Sequence, residues 1–441
     1  MLFLLAAVFG SIEIRLEEYG GVGDGETDNT DAFARAIGAI KVAGGGTLSV
    51  GPGSFVSFPF NLTSRLTLQL QANTVIIART CAEALADPKW WPALPPLPNY
   101  GLDQDIGAAS RYQSFVHAED VEHVAIVGRG ESSVIDGRGE DWWKAHLQGS
   151  LTVGRPHLIE VLRGTDFRIA DLSLKNSPFW TIHPVAVRGV RVQRISVTTP
   201  LQGAPNTDGF DPDACTDVVI EDSTISTNDD CIAIKAGLNC FGSVYGPTSG
   251  VVVRNVTCVN AIVIGSEMSG GVRNVSISNS TGRLYFKTGL MRGGFMTDVV
   301  SDDVMVPANR GLGLGPQGYG IRISTSYGAK PAACNASWSP PPTRIERIGF
   351  RAVRGEEGLV VQNWSVYLDA THASMSGLHF ADIDLPVALS GHGFVCDVSP
   401  DTAVAGDAVR VVPEACPALQ RADSDSGSDS SRLTPSRSGR G

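Results

Sequence analysis

Two short acidic stretches carry the residue types from which hydrolytic chemistry is built. The first is Asn206-Thr207-Asp208-Gly209-Phe210-Asp211-Pro212-Asp213, and the second is Asn228-Asp229-Asp230-Cys231. Carboxylates gathered in one place repel one another, which raises at least one pKa and leaves a protonated acid beside an ionised base. Hydrolysis of a glycosidic bond needs that combination. Carboxylates also suit calcium, but no EF-hand-like spacing occurs here. Turn chemistry competes with both readings, because Asn and Asp side chains bond readily to nearby backbone. It is the preferred reading for Asp211, Asp213 and Asp222. For Asp208, Asp229 and Asp230 the pairing of the two motifs favours chemistry.

A repeated architecture is needed to bring those motifs together. Segments such as 167–174, 190–197, 218–225, 251–258 and 272–277 alternate apolar and polar residues, and their starts lie 21 to 33 residues apart. That period belongs to a solenoid, whereas a hairpin sandwich would place strands every 8–12 residues or so. Asp208 and Asp229 lie 21 residues apart, about one turn of such a stack, which puts them roughly 5 Å apart along its axis. Adjacent strand residues point to opposite faces, so Asp229 and Asp230 share a cleft only if the chain bends there. The one expected helix runs from Asn29 to Ile40, with Thr30 or Asp31 as N-cap, Phe33, Ala36, Ile37 and Ile40 as its apolar stripe, and Gly44-Gly45-Gly46 as its end. The fold class this predicts is all-β, a single parallel β-helix over residues 12–420 with that helix capping its open end.

Composition agrees with one large core: 42% of the 441 residues are hydrophobic and 18% charged, while 50 glycines and 25 prolines mark frequent turns. A net charge of −11 without a basic stripe argues against a nucleic-acid partner, and it requires local Lys or Arg for any polyanionic ligand. Eight cysteines permit disulfides without dictating which. Asn61, Asn255, Asn274, Asn279, Asn335 and Asn363 each open an Asn-x-Ser/Thr sequon, which suits either glycosylation or strand-edge turns. Residues 1–11 read as the apolar core of a signal peptide or as a buried first strand, and they are too short for a membrane-spanning helix. Residues 421–441 read as a disordered Ser/Asp/Arg-rich tail. No membrane partner is expected.

At the acidic motifs the sequence resembles glycoside hydrolase family 28, the polygalacturonases, and particularly its plant-type branch. The resemblance also rests on Tyr19-Gly-Gly-Val-Gly-Asp24 to Thr30, Asp136-Gly-Arg-Gly-Glu-Asp-Trp142-Trp143, Asn176-Ser-Pro-Phe-Trp180-Thr-Ile-His183-Pro184 and Gly265-Ser-Glu-Met-Ser-Gly-Gly271. It implies a right-handed parallel β-helix of the pectin-lyase-like type, secreted to the cell wall. It further implies inverting hydrolysis of α-1,4-galacturonosyl linkages in pectic polysaccharide. Asp229 would be the general acid, and Asp208 and Asp230 would activate the attacking water across a separation of about 6.5–9.5 Å. No metal or organic cofactor is implied, and a capped solenoid is expected to be a monomer. Disulfides Cys231–Cys258 and Cys396–Cys416 resemble family bridges.

Two departures bear on substrate. The family's Gly-His-Gly is absent from Cys258 to Ser266, as it is in the plant-type branch. Its Arg-Ile-Lys is Tyr285-Phe286-Lys287 here, which keeps Lys287 for a uronate carboxylate but loses the bidentate arginine; Arg283 or Arg292 would have to substitute. The expected substrate-binding set is therefore Lys287, Tyr285, Asn206, His183 and Lys235, with a structural role for His183 weighed equally. Trp90, Trp91 and Tyr100 are expected to pack against the β-helix. Two competing classes remain: a polysaccharide-binding protein without turnover, and a polysaccharide lyase.

Overall fold

The computed structural model describes residues 12–86, 89–308, 318–328, 334, 337–386, 388, 394–397 and 404–410. Twenty-four strands hydrogen-bond into one continuous sheet in which every pairing is parallel, the arrangement expected of a coil that returns to the same place once per turn. Equivalent residues stack in columns. Val124, Phe167, Val190, Val218, Val251, Val275, Val299, Ile348 and Leu378 occupy one register position on successive coils. All are buried, and this is where the apolar half of the alternating pattern goes. Phe286, Phe350 and Phe380 extend the interior as a stack with ring centres 5.5 and 5.0 Å apart.

Corners make the coil close, and each corner asks for a backbone conformation that most side chains resist. The residue just before that column has positive φ on every coil: His123, Asp166, Gly189, Asp217, Gly250, Asn274, Asp298, Arg347 and Gly377. A second corner repeats the device at Asp171, Arg194, Asp222, Asn255, Asn279, Asp303, Ala352 and Asp382. Gly, Asn and Asp dominate because they enter the left-handed region at least cost. Asp222 therefore has the turn role expected of it. Asn255, Asn274 and Asn279 are both corner residues and exposed sequons. Asn61 is exposed as well, and Asn363 is half-buried. Asn335, residues 1–11 and the tail lie outside the described residues.

The helix near the start, α1, spans Thr30–Val42 and buries Phe33, Ala36, Ile37 and Ile40 against the first coils, with Phe33 stacked 4.4 Å from Phe60. Its capping differs from expectation. Neither Thr30 nor Asp31 caps it; Asp28 Oδ1 accepts hydrogen bonds from the Thr30 N–H at 2.9 Å and its hydroxyl at 2.5 Å. Asn29, at the N-cap position, instead ties Val22, Thr27 and Val56 together through its side-chain amide. Short helices at Cys81–Ala86 and Glu140–Leu147 were also not expected. The second is too short to show a period, and its Trp142 and Trp143 are buried. No helix among the described residues is long and apolar enough to cross a membrane.

Candidate active site

The acidic motifs interrupt two adjacent coils on one face of the solenoid. Phe210 bridges Ile182 on one side and Ile232 on the other, and Asp213 bridges Val185 and Lys235. Beyond them the same column continues through β1 (Ile232–Ile234), β2 (Thr248–Ile264), β3 (Val272–Lys287), β4 (Tyr319–Ser324) and β5 (Trp364–Asp369). Ile182, Phe210, Ile232, Ile262, Leu284, Ile321 and Val366 point into the core. Alternation then turns Asp211, Asp213, Lys235, Tyr285, Lys287 and Arg322 to the outer face.

The repeat offset here is 22 residues: Gly209 N–H donates to Asp230 O at 3.0 Å, so the coil partner of Asp208 is Asp230. Asp229 joins them because the chain bends at 228–229. Two side chains hold that bend through the Asp229 carbonyl, Thr227 Oγ1 at 3.1 Å and Asn260 Nδ2 at 2.9 Å. The Asp230 N–H donates to Asp229 Oδ1 at 2.9 Å. As a result Asp208, Asp229 and Asp230 each present an oxygen within 4.8 Å of the others. That approach is closer than the separation expected of an inverting pair. Asp208 and Asp230 are 4% and 8% exposed, and Asp229 is half-buried.

Two lysines oppose the acids. Lys287 Nζ lies 2.7 Å from Asp230 Oδ2. Lys235 Nζ lies 3.5 Å from Asp208, 3.3 Å from Asp211 and 3.3 Å from Glu267, and 4.0 Å from the Trp180 ring centre. Five carboxylates against two ammonium groups cannot all stay ionised away from water. Burial, and then the charges of Asp211 and Asp229, push the Asp208 carboxyl well above the usual range. Burial raises Asp211 to about 6 in spite of Lys235, and it raises Asp230 in spite of Lys287. The cluster thus keeps protons that isolated aspartates would lose, and the protonated and ionised forms of catalysis stand side by side.

Several expected roles change. His183 is fully buried, with Nδ1 3.5 Å from Glu160 and Nε2 3.4 Å from Asp213, so it braces the framework and does not reach a sugar. Lys235, 2% exposed, is enclosed by carboxylates and an aromatic ring and sets their positions. Asp211 and Asp213 are not turn residues. Asp211 pairs with Lys235, while Asp213 accepts hydrogen bonds from Tyr100 Oη at 2.6 Å, Asn99 Nδ2 at 3.0 Å and Gly237 N–H at 2.9 Å. Arg283 and Arg292 do not replace the missing arginine: both are buried, donating to Asn260 Oδ1 and to Ser266 O and Asn239 Oδ1 respectively. Asn206 is half-buried and accepts from Arg155 at 3.0 Å. Tyr285 lies on the outer face, edge-on to Tyr319 at 5.2 Å. Trp91 and Tyr100 are buried, as packing residues should be. Glu267, which closes the Lys235 cage, was visible in the sequence only as part of the Gly265-Ser-Glu motif.

Among the described residues two groups have donor spacing suited to a metal: Asp208–Asp229–Asp230 and His157–Glu160–His183. In each, protein cations already supply the positive charge. Lys235 and Lys287 face the first, and Arg111 spans both oxygens of Glu160 at 3.0 and 2.8 Å in the second. A cavity of about 600 Å3 beside Asp136, Arg138, Trp143 and Asn176 contains no residue of the carboxylate cluster. Cys231 and Cys258 are joined as expected, and Cys240–Cys334 is a further bridge. Cys416, the expected partner of Cys396, lies outside the described residues.

Residues 102–403 match the glycosyl hydrolases family 28, and the chain belongs to that family. A probable polygalacturonase of Vitis vinifera is 40% identical over 297 residues, covering 64% of this chain and 58% of the relative. A probable endo-xylogalacturonan hydrolase A of Emericella nidulans is 29% identical, covering 55% of this chain and 60% of the relative. The chain spans 44% to 63% of the length of these and similar curated relatives. An exopolygalacturonase structure from Thermotoga maritima superposes with a TM-score of 0.62 at 25% identity, covering 87% of this chain and 89% of that one. The Erwinia carotovora polygalacturonase gives 0.65 at 21% identity, covering 85% and 94%, and shares the right-handed parallel β-helix.

Proposed function

We propose that this protein hydrolyses α-1,4-galacturonosyl linkages in a pectic polysaccharide. The carrying observation is the set of three aspartates, each with an oxygen within 4.8 Å of the others and ringed by Lys235 and Lys287. Asp229, the most exposed of the three, passes a proton held by the cluster to the glycosidic oxygen. Asp208 and Asp230, each facing a lysine, take the proton of the attacking water. Because the three groups interact strongly, their titration belongs to the cluster and not to one residue. Lys287 neutralises a uronate carboxylate beside the scissile bond, and Asn206 borders the same face. Six sequons support secretion to the cell wall, and we expect a monomer.

The test is release of reducing ends from polygalacturonic acid, xylogalacturonan and rhamnogalacturonan by wild type and Asp229→Asn. Activity in the wild type alone supports the assignment, and the polymer consumed names the substrate. Turnover undiminished in Asp229→Asn removes Asp229 from the mechanism. Tyr285 in place of arginine favours a second reading, a substituted or mixed pectic polymer, which the same panel decides. Product absorbance from a new double bond would indicate a lyase. Proton NMR of the first product sets the stereochemistry: inversion is expected, and retention would mean that the close carboxylate spacing governs the route.

A further inference from the structure

The sequons are spread along the chain, and the fold treats them differently. Asn255 commits its Nδ2 to Asp222 Oδ1 at 2.7 Å. Asn61 keeps its own Nδ2 free of any partner among the described residues, while its Oδ1 accepts from Gln113 Nε2 at 3.1 Å. That contact fixes the carboxamide plane and leaves Nδ2, the atom to which an N-linked sugar is joined, at an exposed position. Asn61 also lines a cavity of about 480 Å3, which falls in the range of small-ligand sites, roughly 300–1,000 Å3. One wall is α1, through Ala34, Ile37 and Gly38; the other is Pro59, Leu62 and Val121. Ile37, Leu62 and Val121 are buried and make an apolar floor suited to the C–H face of a pyranose. Gly38 has no packing reason to be glycine. It sits inside a helix, where glycine costs backbone entropy relative to alanine, its φ is not left-handed, and a Cβ there would meet nothing within 4 Å. What it does is leave the α1 wall of this cavity without a side chain.

We propose that Asn61 carries an N-linked glycan whose first sugars lie in the groove between α1 and the first coils and hold that helix in place. The inference rests on the secretion reading above. The donor is an oligosaccharide on a lipid diphosphate. Transfer forms a bond between Asn61 Nδ2 and the sugar C1 and breaks the bond from C1 to the diphosphate oxygen; the lipid diphosphate leaves and the amide gives up one proton. Because the sugar is tethered inside the lining of the cavity, it occupies the groove without the entropy loss of binding a free ligand. The glycan then completes the cap that α1 begins.

The full chain is expressed in plant cells, collected from the medium and compared with Thr63→Ala, which removes the acceptor signal but keeps Asn61 and its Gln113 contact. Glycopeptide mapping should find Asn61 occupied in wild type and bare in Thr63→Ala. Wild type should melt about 1–2 °C higher, with slower hydrogen exchange in α1. Thr63→Ser, which keeps the sequon, should keep the glycan and the wild-type melting temperature. Gly38→Gln supplies the decisive sign. In the Thr63→Ala background it should raise the melting temperature, because glutamine favours helix and meets open space. In the glycosylated protein it should lower it, because side chain and sugar compete for one cavity. A bare Asn61 in the secreted chain, or an occupied Asn61 with the same Gly38→Gln effect in both backgrounds, overturns the groove assignment. Absence of the chain from the medium overturns secretion and the glycan together. Hydrolysis of pectic polymers is scored separately in wild type, so its presence or absence bears on the hydrolase reading and not on the glycan.

Discussion

Lys235 sits where three carboxylates converge, and its removal leaves them without that cation. We expect Lys235→Met to cost about 3–5 kcal/mol in chemical denaturation and to abolish activity. Asp211 makes the same cluster pH-sensitive. Its folded pKa, about 6, stands above the 3.8 of an ordinary exposed aspartate, so the folded protein holds the proton more tightly than the unfolded chain. The stability it contributes is full below about pH 4 and is lost as pH rises to about 6, a swing on the order of 3 kcal/mol. Glu160, held well below the usual range despite its burial, chiefly by the charges of Arg111 and His157, works oppositely: its contribution is lost as pH falls. Urea titrations across pH 4–7 should therefore show a negative slope that Asp211→Asn flattens. Hydrolysis should be confined to acidic pH and decline once the three-aspartate cluster gives up the last proton that burial and mutual repulsion hold in it. The clustering of Asp208, Asp229 and Asp230 was legible because they fall in two recognisable motifs one coil apart. Asp213 was not, since its partners Asn99 and Tyr100 lie 114 and 113 residues earlier, and an Asp after Pro has the local signature of a turn.

The coil is the unit on which the site is mounted, and the Cys231–Cys258 bridge ties the coil carrying Asp229 and Asp230 to the next. Replacing both cysteines by serine should lower stability by about 3–4 kcal/mol, read in denaturant, with a parallel fall in activity as the bend at 228–229 loosens. The corners give a separate expectation. Asn274→Val, forced into positive φ, should cost about 1–2 kcal/mol in unglycosylated protein, and Asn274→Gly should cost little. Strand periodicity was plain in the sequence because stacked coils bury the same face each time. The N-cap position of α1, Asn29, lies one residue before Thr30 and two before Asp31; Asp28, Thr30 and Asp31 all qualify locally, and the sequence does not show that the Asn29 side chain is committed to Val56.

At the scale of the molecule, each coil is stabilised by its two neighbours, and α1 covers the first. Hydrogen exchange should be slowest in the central strands between Ile182 and Val306 and fastest toward the C-terminal coils; uniform protection would show a single cooperative block. The overall charge of −11 is offset where it matters, since Lys235, Lys287 and Arg322 lie on the same outer face. The columns of corner residues also impose a counting rule on how such a chain can change its length. Residues added to the excursions at 199–207 or 237–247 leave the sheet and rejoin it at the same column, so no corner moves. One residue added inside 251–258 would turn the apolar side of that strand to water and carry Asn255 off its corner. Growth therefore comes in whole coils or in loops. A whole added coil would lengthen the outer face by one sugar unit while leaving every existing corner in register.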